Sequence, residues 1–104
     1  MNAVLKRNGN QFAGPAIVYL NKMQAHEAVD YQGANPHFVY KMSTLTIPTS
    51  DVQFIRQGDM VIDPNNVDPK TSTLRAFKII SDPEPNTLSM SWQWVAERQT
   101  RGGA

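Results

Sequence analysis

Apolar and polar residues alternate along much of this chain, most regularly near its C-terminal end. In residues 88–96 one face of an extended chain would carry Leu88, Met90, Trp92, Trp94 and Ala96. Mostly polar residues would occupy the other face. Strict alternation over so long a run predicts a half-buried β-strand, with both tryptophans on the side that faces the core.

Shorter runs of β-branched, aromatic and alternating residues predict further strands at residues 16–20, 38–47, 60–63 and 74–80. Seven prolines punctuate the chain and leave little room for a long helix. The chain is therefore predicted to be all-β: a small antiparallel β-barrel or sandwich with long loops and flexible termini.

Three other segments are assigned from their capping and turn residues. Residues 49–56 are expected to form a short capped helical turn, and residues 82–86 a loop between two antiparallel strands. Residues 22–29 are compatible with a helix, but we favour a strand over residues 25–31.

The length of 104 residues predicts a single β domain over residues 1–104. Residues 1–14 are a candidate N-terminal arm. Residues 64–72 are polar and rich in turn formers, which predicts a protruding loop. Residues 98–104 offer almost no apolar anchor, which predicts a flexible C-terminal tail.

Composition excludes several classes of site. The chain has no cysteine, which excludes disulfides, thiolate metal sites and a cysteine nucleophile. Its net charge of +1 provides no strong field for nucleic acid or an anionic membrane. Its apolar runs are too short to span a bilayer, and its start lacks the order of a signal peptide. We therefore expect a soluble cytoplasmic domain.

The polar clusters do not predict a catalytic or metal site. The segment His26-Glu27-Ala28-Val29-Asp30 resembles the zinc-binding helix motif, but an aspartate replaces its second histidine. No serine near His26 or His37 in the sequence lies in a nucleophile elbow. The acidic segment at residues 63–68 lacks the glycine and glutamate of a calcium loop. We expect no catalytic residue, no metal and no cofactor.

Single-stranded nucleic acid is the alternative partner. Small antiparallel barrels often bind single strands through exposed aromatic side chains beside basic groups. Trp92 and Trp94 share a face of the predicted strand, and Arg98 and Arg101 follow them. The leucine and methionine on the same face favour a core instead.

Four segments of the second half follow one another in a recognisable order: Ser50-Asp51-Val52, Ile55-Arg56-Gln57-Gly58-Asp59-Met60-Val61-Ile62-Asp63, Phe77-Lys78-Ile79-Ile80-Ser81-Asp82-Pro83 and the strand over residues 88–95. In order, spacing and chain length, they resemble the small head-tail joining proteins (head-closure or neck proteins) of tailed bacteriophages, including lambda-like phages. Within this pattern Gly58 and Asp59 are expected to be structural turn residues.

The resemblance implies a structural virion protein rather than an enzyme. Members of this family are small β-barrels or sandwiches that assemble as a ring in the neck, between the connector and the tail, and help to retain the packaged DNA. The implied partners are portal-side and tail-side proteins and further copies of the chain, near DNA and without membrane contact. The implied location is the virion, with the host cytoplasm during assembly.

The loop and the tail are the expected partner contacts, because both are polar and would become ordered on assembly. Their candidate contact residues are Asn65, Asn66, Asp68, Lys70, Arg98 and Arg101.

Overall fold

The computed structural model describes residues 1–28, 39–44, 55–67, 74–86 and 91–99. Within these residues the elements follow in the order β1 (Asn2–Arg7), β2 (Asn10–Lys22), α1 (Ala25–Ala28), β3 (Val39–Thr44), β4 (Met60–Val67), β5 (Leu74–Ile79), β6 (Glu84–Asn86) and β7 (Ser91–Gln99). The prediction of an all-β fold is confirmed.

Six strands close into an antiparallel barrel. They are neighbours in the order β3-β2-β1-β4-β5-β7, and β7 pairs back onto β3. One edge of β7 has two partners: its first half pairs with β6, and its second half pairs with β5. The long last strand is therefore the element that closes the ring, and closure covers the sheet edges that an open sandwich would leave.

One apolar cluster fills the barrel. Its buried members are Ala3, Leu5, Val18, Met42, Ile55, Val61, Phe77, Ile79, Trp94 and Ala96. Trp92 is partly buried and packs against this cluster, so both tryptophans lie on the core side of β7. The indole N–H of Trp94 donates to the carbonyl oxygen of Ile55 at 3.0 Å, which satisfies the one polar atom that this side chain brings inside.

A second, smaller cluster lies outside the barrel and explains α1. Met23 and Ala28 pack there with Val39, Val95 and the partly buried Ile80. The strand that we favoured over residues 25–31 is therefore wrong for residues 25–28, where the helical alternative holds.

Two hydrogen bonds between Gln24 and Glu27 cap the start of this short helix. The backbone N–H of Gln24 donates to Glu27 Oε2 at 3.2 Å, and the N–H of Glu27 donates to the Gln24 carbonyl oxygen at 3.1 Å. A glutamate at this position closes the first turn of a helix in the manner of a capping box. Residues 29–31 lie outside the described residues.

The first fourteen residues belong to the barrel wall, so the interpretation as an N-terminal arm is wrong. β1 pairs with β2 on one side and with β4 on the other. Ala3 and Leu5 are buried in the core, while their neighbours along the strand point outward. This short alternation supplies enough buried apolar surface to hold the segment in the sheet.

β2 is longer than predicted because it continues through Gly14 and Pro15, which pattern reasoning treats as a break. The pairing with β1 shifts register there. Gly14 has φ +106°, and a Cβ at this position would lie 2.6 Å from the carbonyl oxygen of Ala3. A proline needs no ladder partner within such an irregularity, so a bulge accommodates both residues.

Two segments predicted to be loose are partly strand. β4 continues to Val67, which pairs with Leu74, and β7 continues to Gln99, with Arg98 paired to Phe77. Backbone pairing to β5 stabilises both extensions despite their polar composition. The rest of the predicted loop (68–72), the rest of the tail (100–104) and most of the predicted helical turn (49–54) lie outside the described residues. β6 replaces the end of the loop predicted at residues 82–86.

Candidate docking surface

The structure places the predicted contact residues on different strands. Asn65 and Asn66 are exposed at the end of β4. Arg98 is half-buried on β7, and β5 lies between these two strands. Outside the described residues lie the other three candidates, Asp68, Lys70 and Arg101.

The end of β4 is capped by its own side chains. Asp63 is buried, and its Oδ1 accepts a hydrogen bond from the backbone N–H of Asn65 at 3.1 Å. Its Oδ2 accepts one from Asn66 Nδ2 at 2.6 Å. Aspartates commonly bond the backbone two residues ahead in this way. The cap occupies backbone and side-chain donors that would otherwise be free for a partner.

An apolar pair is exposed at the end of the β4–β5 hairpin. Val67 and Leu74 are cross-strand partners, and they are 61% and 45% exposed. Exposed apolar side chains that lie next to each other can serve as part of a contact surface. The sequence pattern missed this pair because Val67 falls within a polar segment.

Hydrogen bonds to Arg7 join the Gly58–Asp59 turn to β1. Gly58 has φ +96°, and Asp59 is 1% exposed, with its Oδ2 accepting the backbone N–H of Arg56 at 2.9 Å. The guanidinium of Arg7 donates to both carboxylate oxygens at 2.8 Å. Such two-point charged hydrogen bonds fix geometry as well as charge.

The surroundings of Arg7 hold it in place. Its Cζ lies 4.3 Å from the ring centre of Phe12, a cation–π distance. Hydrogen bonding to Asp59 raises the pKa of Arg7 above its ordinary value, and burial opposes this with a smaller effect. Asp59 is therefore a structural acceptor, as its turn position suggested, but its distant partner Arg7 has no local sequence signal.

The histidine motif does not assemble into a metal site in the part of the chain that the structure describes. His26 is exposed on α1, while Asp30 and His37 lie outside that part. Among the described residues, no three His, Asp or Glu side chains lie close enough to hold a metal ion. In the same residues, no helix is long and apolar enough to cross a membrane.

The tryptophan pair does not form a stacking surface. Trp94 is 1% exposed inside the barrel, and Trp92 packs partly buried against the same core. Base stacking needs an aromatic face open to solvent. The nucleic-acid alternative therefore loses the aromatic pair on which it was based.

A groove opens in the barrel wall where β1 begins. β1 lies between β2 and β4, and both neighbours continue past its first residue. The groove has a volume of about 430 Å³, and it is lined by Met1, Val18, Tyr19, Leu20, Tyr40, Asp63, Asn66 and Arg75. It therefore combines apolar and aromatic walls with a few polar groups, as binding sites commonly do.

Arg75 is the unusual residue of this groove. It faces Asp63 across the β4–β5 ladder, yet the Asp63 carboxylate is turned to the asparagines of its own strand. Arg75 Cζ lies 5.3 Å from the ring centre of Phe77, and its Nε is buried without a hydrogen-bond partner. Within the described residues, Arg75 forms no ion pair with a carboxylate.

The described surface thus offers a partner at least the apolar hairpin end and the groove beside β1. Neither is visible in the sequence, because each is formed by strand pairing between residues that carry no shared motif. No protein-family model, curated protein or solved structure matches the chain.

Proposed function

We propose that this chain is a structural protein of a tailed bacteriophage virion. It joins the head to the tail in the neck and helps to close the head after DNA packaging. It acts by binding other proteins and carries out no catalysis. The order and spacing of segments in residues 50–97 support this role, and so does the small closed barrel.

The exposed pair Val67 and Leu74 is the observation that carries the proposal. The two side chains are cross-strand partners at the end of the β4–β5 ladder, beyond a register shift that follows Asp63, so they lie side by side on the surface. Burying them against another protein would stabilise a complex without reorganising the barrel. We assign this hairpin end to contact with a neighbouring neck protein.

Assembly in the neck imposes a symmetry on the contacts. Copies of one chain around the head–tail axis form a ring, and each copy contacts the next through two different surfaces. The net charge of +1 suits a ring that DNA passes without being gripped, because strong DNA binding requires many uncompensated basic groups.

Disruption of the coding sequence in the phage genome that carries it tests the role. We expect electron microscopy of lysates to show heads and free tails that accumulate separately. Expression of the wild-type chain from a plasmid should restore joined virions. Joined virions in the disrupted phage would contradict the proposal, and so would a genome without capsid and tail genes.

A further inference from the structure

We propose that the outer face of β1, β4 and β5 binds residues 82–85 of the next copy of this chain. Residues 82–85 are named the acidic segment. The inference rests on the proposed neck role, because a closed ring of identical copies needs two different surfaces in contact. The outer face is formed by six outward side chains: Val4, Lys6, Met60, Ile62, Ala76 and Lys78.

The outer face has an apolar centre. Val4, Ile62 and Ala76 are neighbours in one row across the three strands, and each is partly exposed. Each lies next to a buried residue of its own strand, so its side chain points away from the core. Neither apolar cluster of the described residues includes them. These side chains therefore present an apolar row on the outside of the barrel.

The sequence of β4 has the character of a strand that is covered on both sides. Met60, Val61 and Ile62 follow one another, and of these only Val61 belongs to the core cluster. A strand with one face in water alternates apolar and polar residues, whereas strands buried on both faces are continuous apolar runs. The outer face of β4 thus has the composition of a surface that another protein covers.

Two lysines flank this apolar centre. Lys6 and Lys78 are the ladder partners of Met60, one on each side of β4. Two strand spacings separate them, or about 10 Å between their Cα atoms. Glu97 is opposite Lys78 on β7, but within the described residues neither lysine forms an ion pair. A complementary partner therefore carries apolar groups together with two acidic side chains.

The acidic segment has this composition. It reads Asp82-Pro83-Glu84-Pro85, and both acidic residues are exposed. In the part of the chain that the structure describes, neither acid forms an ion pair. Asp82 and Glu84 each precede a proline, which restricts their backbones to extended conformations, and their Cα atoms are then about 6–7 Å apart. The flexible stems of two lysines can adjust to this spacing, and the proline rings supply the apolar contact.

The position of the acidic segment allows a head-to-tail contact. Its neighbour Ser81 accepts the backbone N–H of Val95 with Oγ at 2.8 Å, so the segment leaves the barrel beside β7 and the second cluster. The outer face is centred on β4, with β5 between β4 and β7. One copy can therefore offer its acidic segment to one neighbour and its outer face to the other. Prolines stiffen the segment, so binding costs it little conformational freedom.

NMR spectra of the full chain at increasing concentration test the inference. A face of three short strands is small for a protein interface, so we expect weak self-association, with a Kd of roughly 0.1–1 mM. The amide signals of Met60 and Glu84 should shift together as the concentration rises. A Lys6→Gln, Lys78→Gln variant should weaken self-association by about three- to tenfold, because two charge pairs are lost.

Lys22→Glu is the matched control. It gives the chain the same net charge as the variant with two glutamines, but it changes an exposed lysine of β2 outside both surfaces. Self-association should stay unchanged in salt of about 0.15 M, which screens distant charges.

A charge swap tests the pairing of the two surfaces. The fourfold variant Lys6→Glu, Lys78→Glu, Asp82→Lys, Glu84→Lys exchanges their charges and keeps the net charge of +1. It should self-associate as the wild-type chain does. The glutamine variant and its control remain decisive even if the fourfold variant does not fold.

Three results would each overturn the inference: no concentration-dependent shifts up to about 1 mM, equal effects of the glutamine variant and Lys22→Glu, or a folded fourfold variant that does not self-associate. Failure of the neck role gives a different pattern. If the chain self-associates as expected but joining is normal in the disrupted phage, the neck role falls and the contact between copies stands. If heads and tails accumulate separately but the chain does not self-associate, the reverse holds.

Discussion

Arg7 on β1 and Asp59 in the turn before β4 form a two-point ion pair, with Nε and Nη2 each 2.8 Å from one carboxylate oxygen. The two residues are 52 positions apart in the sequence. The same carboxylate also accepts the backbone N–H of Arg56, so it fixes the turn and the first strand together. This pair therefore fastens β1 to the turn that begins β4.

Replacing Arg7 by methionine should therefore destabilise the fold. Asp59 would be left buried without its charged partner, which we expect to cost about 2–3 kcal/mol, below the usual range for a fully buried pair because Arg7 reaches solvent. Urea unfolding measures the change. Lys6→Met, at the neighbouring position, is the control and should change stability by about 0.5 kcal/mol or less. Equal losses of unfolding free energy in the two variants would show that the Arg7–Asp59 ion pair does not stabilise the fold.

The two tryptophans should differ in their access to solvent. In a Trp92→Phe variant the remaining fluorophore is Trp94, which is buried and should resist quenching by iodide. In a Trp94→Phe variant the remaining Trp92 is partly buried and should be quenched to an intermediate degree. Quenching of Trp94 as strong as that of free tryptophan would contradict its place in the core and would restore a stacking surface for nucleic acid.

Gly14 should be the glycine least tolerant of a side chain among those the structure describes. Gly14→Ala combines a left-handed backbone with a clash against the Ala3 carbonyl oxygen, which we expect to cost about 3 kcal/mol or more. Gly9→Ala is the matched control, since Gly9 also has positive φ but a Cβ there would have no other atom within 4 Å. It should cost about 1–2 kcal/mol. Thermal unfolding compares the two, and a larger loss at Gly9 would refute the close approach of β1 and β2 at the bulge.

The sequence predicts the strands well where the alternation of apolar and polar residues is long. It predicts little about which strands become neighbours in the barrel. The alternating run that ends in Trp92, Trp94 and Ala96 correctly predicts which side of β7 faces the core. With a period of two, only one of the two faces of the strand is apolar throughout. Pairing of Arg7 with Asp59 depends on which strands become neighbours, and no local pattern encodes this.

The candidate surfaces show the same limit. The polar composition of residues 64–72 predicts a loop, but pairing with β5 extends β4 to Val67 and exposes an apolar pair at its end. The groove forms because β2 and β4 both continue past the residues that lie beside the start of β1. The sequence also does not show that Arg75 lacks an ion pair, because this depends on Asp63, the residue opposite it, bonding Asn65 and Asn66 instead.

The hairpin end should matter for joining and little for folding. A Val67→Ser, Leu74→Ser double variant removes side chains that are 61% and 45% exposed, so the loss of stability should be limited to about 1–2 kcal/mol. Supplied to the disrupted phage, it should restore far fewer joined virions than the wild-type chain. Ile17→Ser is the control, since Ile17 is 51% exposed on β2 and should complement fully. Full complementation by the double variant would remove the hairpin end from the joining surface.

The central claim, that this chain lies between the head and the tail, is tested most directly by cryo-electron microscopy of the neck in intact virions of the phage that encodes it. We predict a ring of copies of this barrel between the connector and the tail, with the ends of the β4–β5 hairpins against a neighbouring protein. A neck in which no density fits the barrel, or virions that contain the chain only on the capsid surface or at the tail tip, would contradict the account.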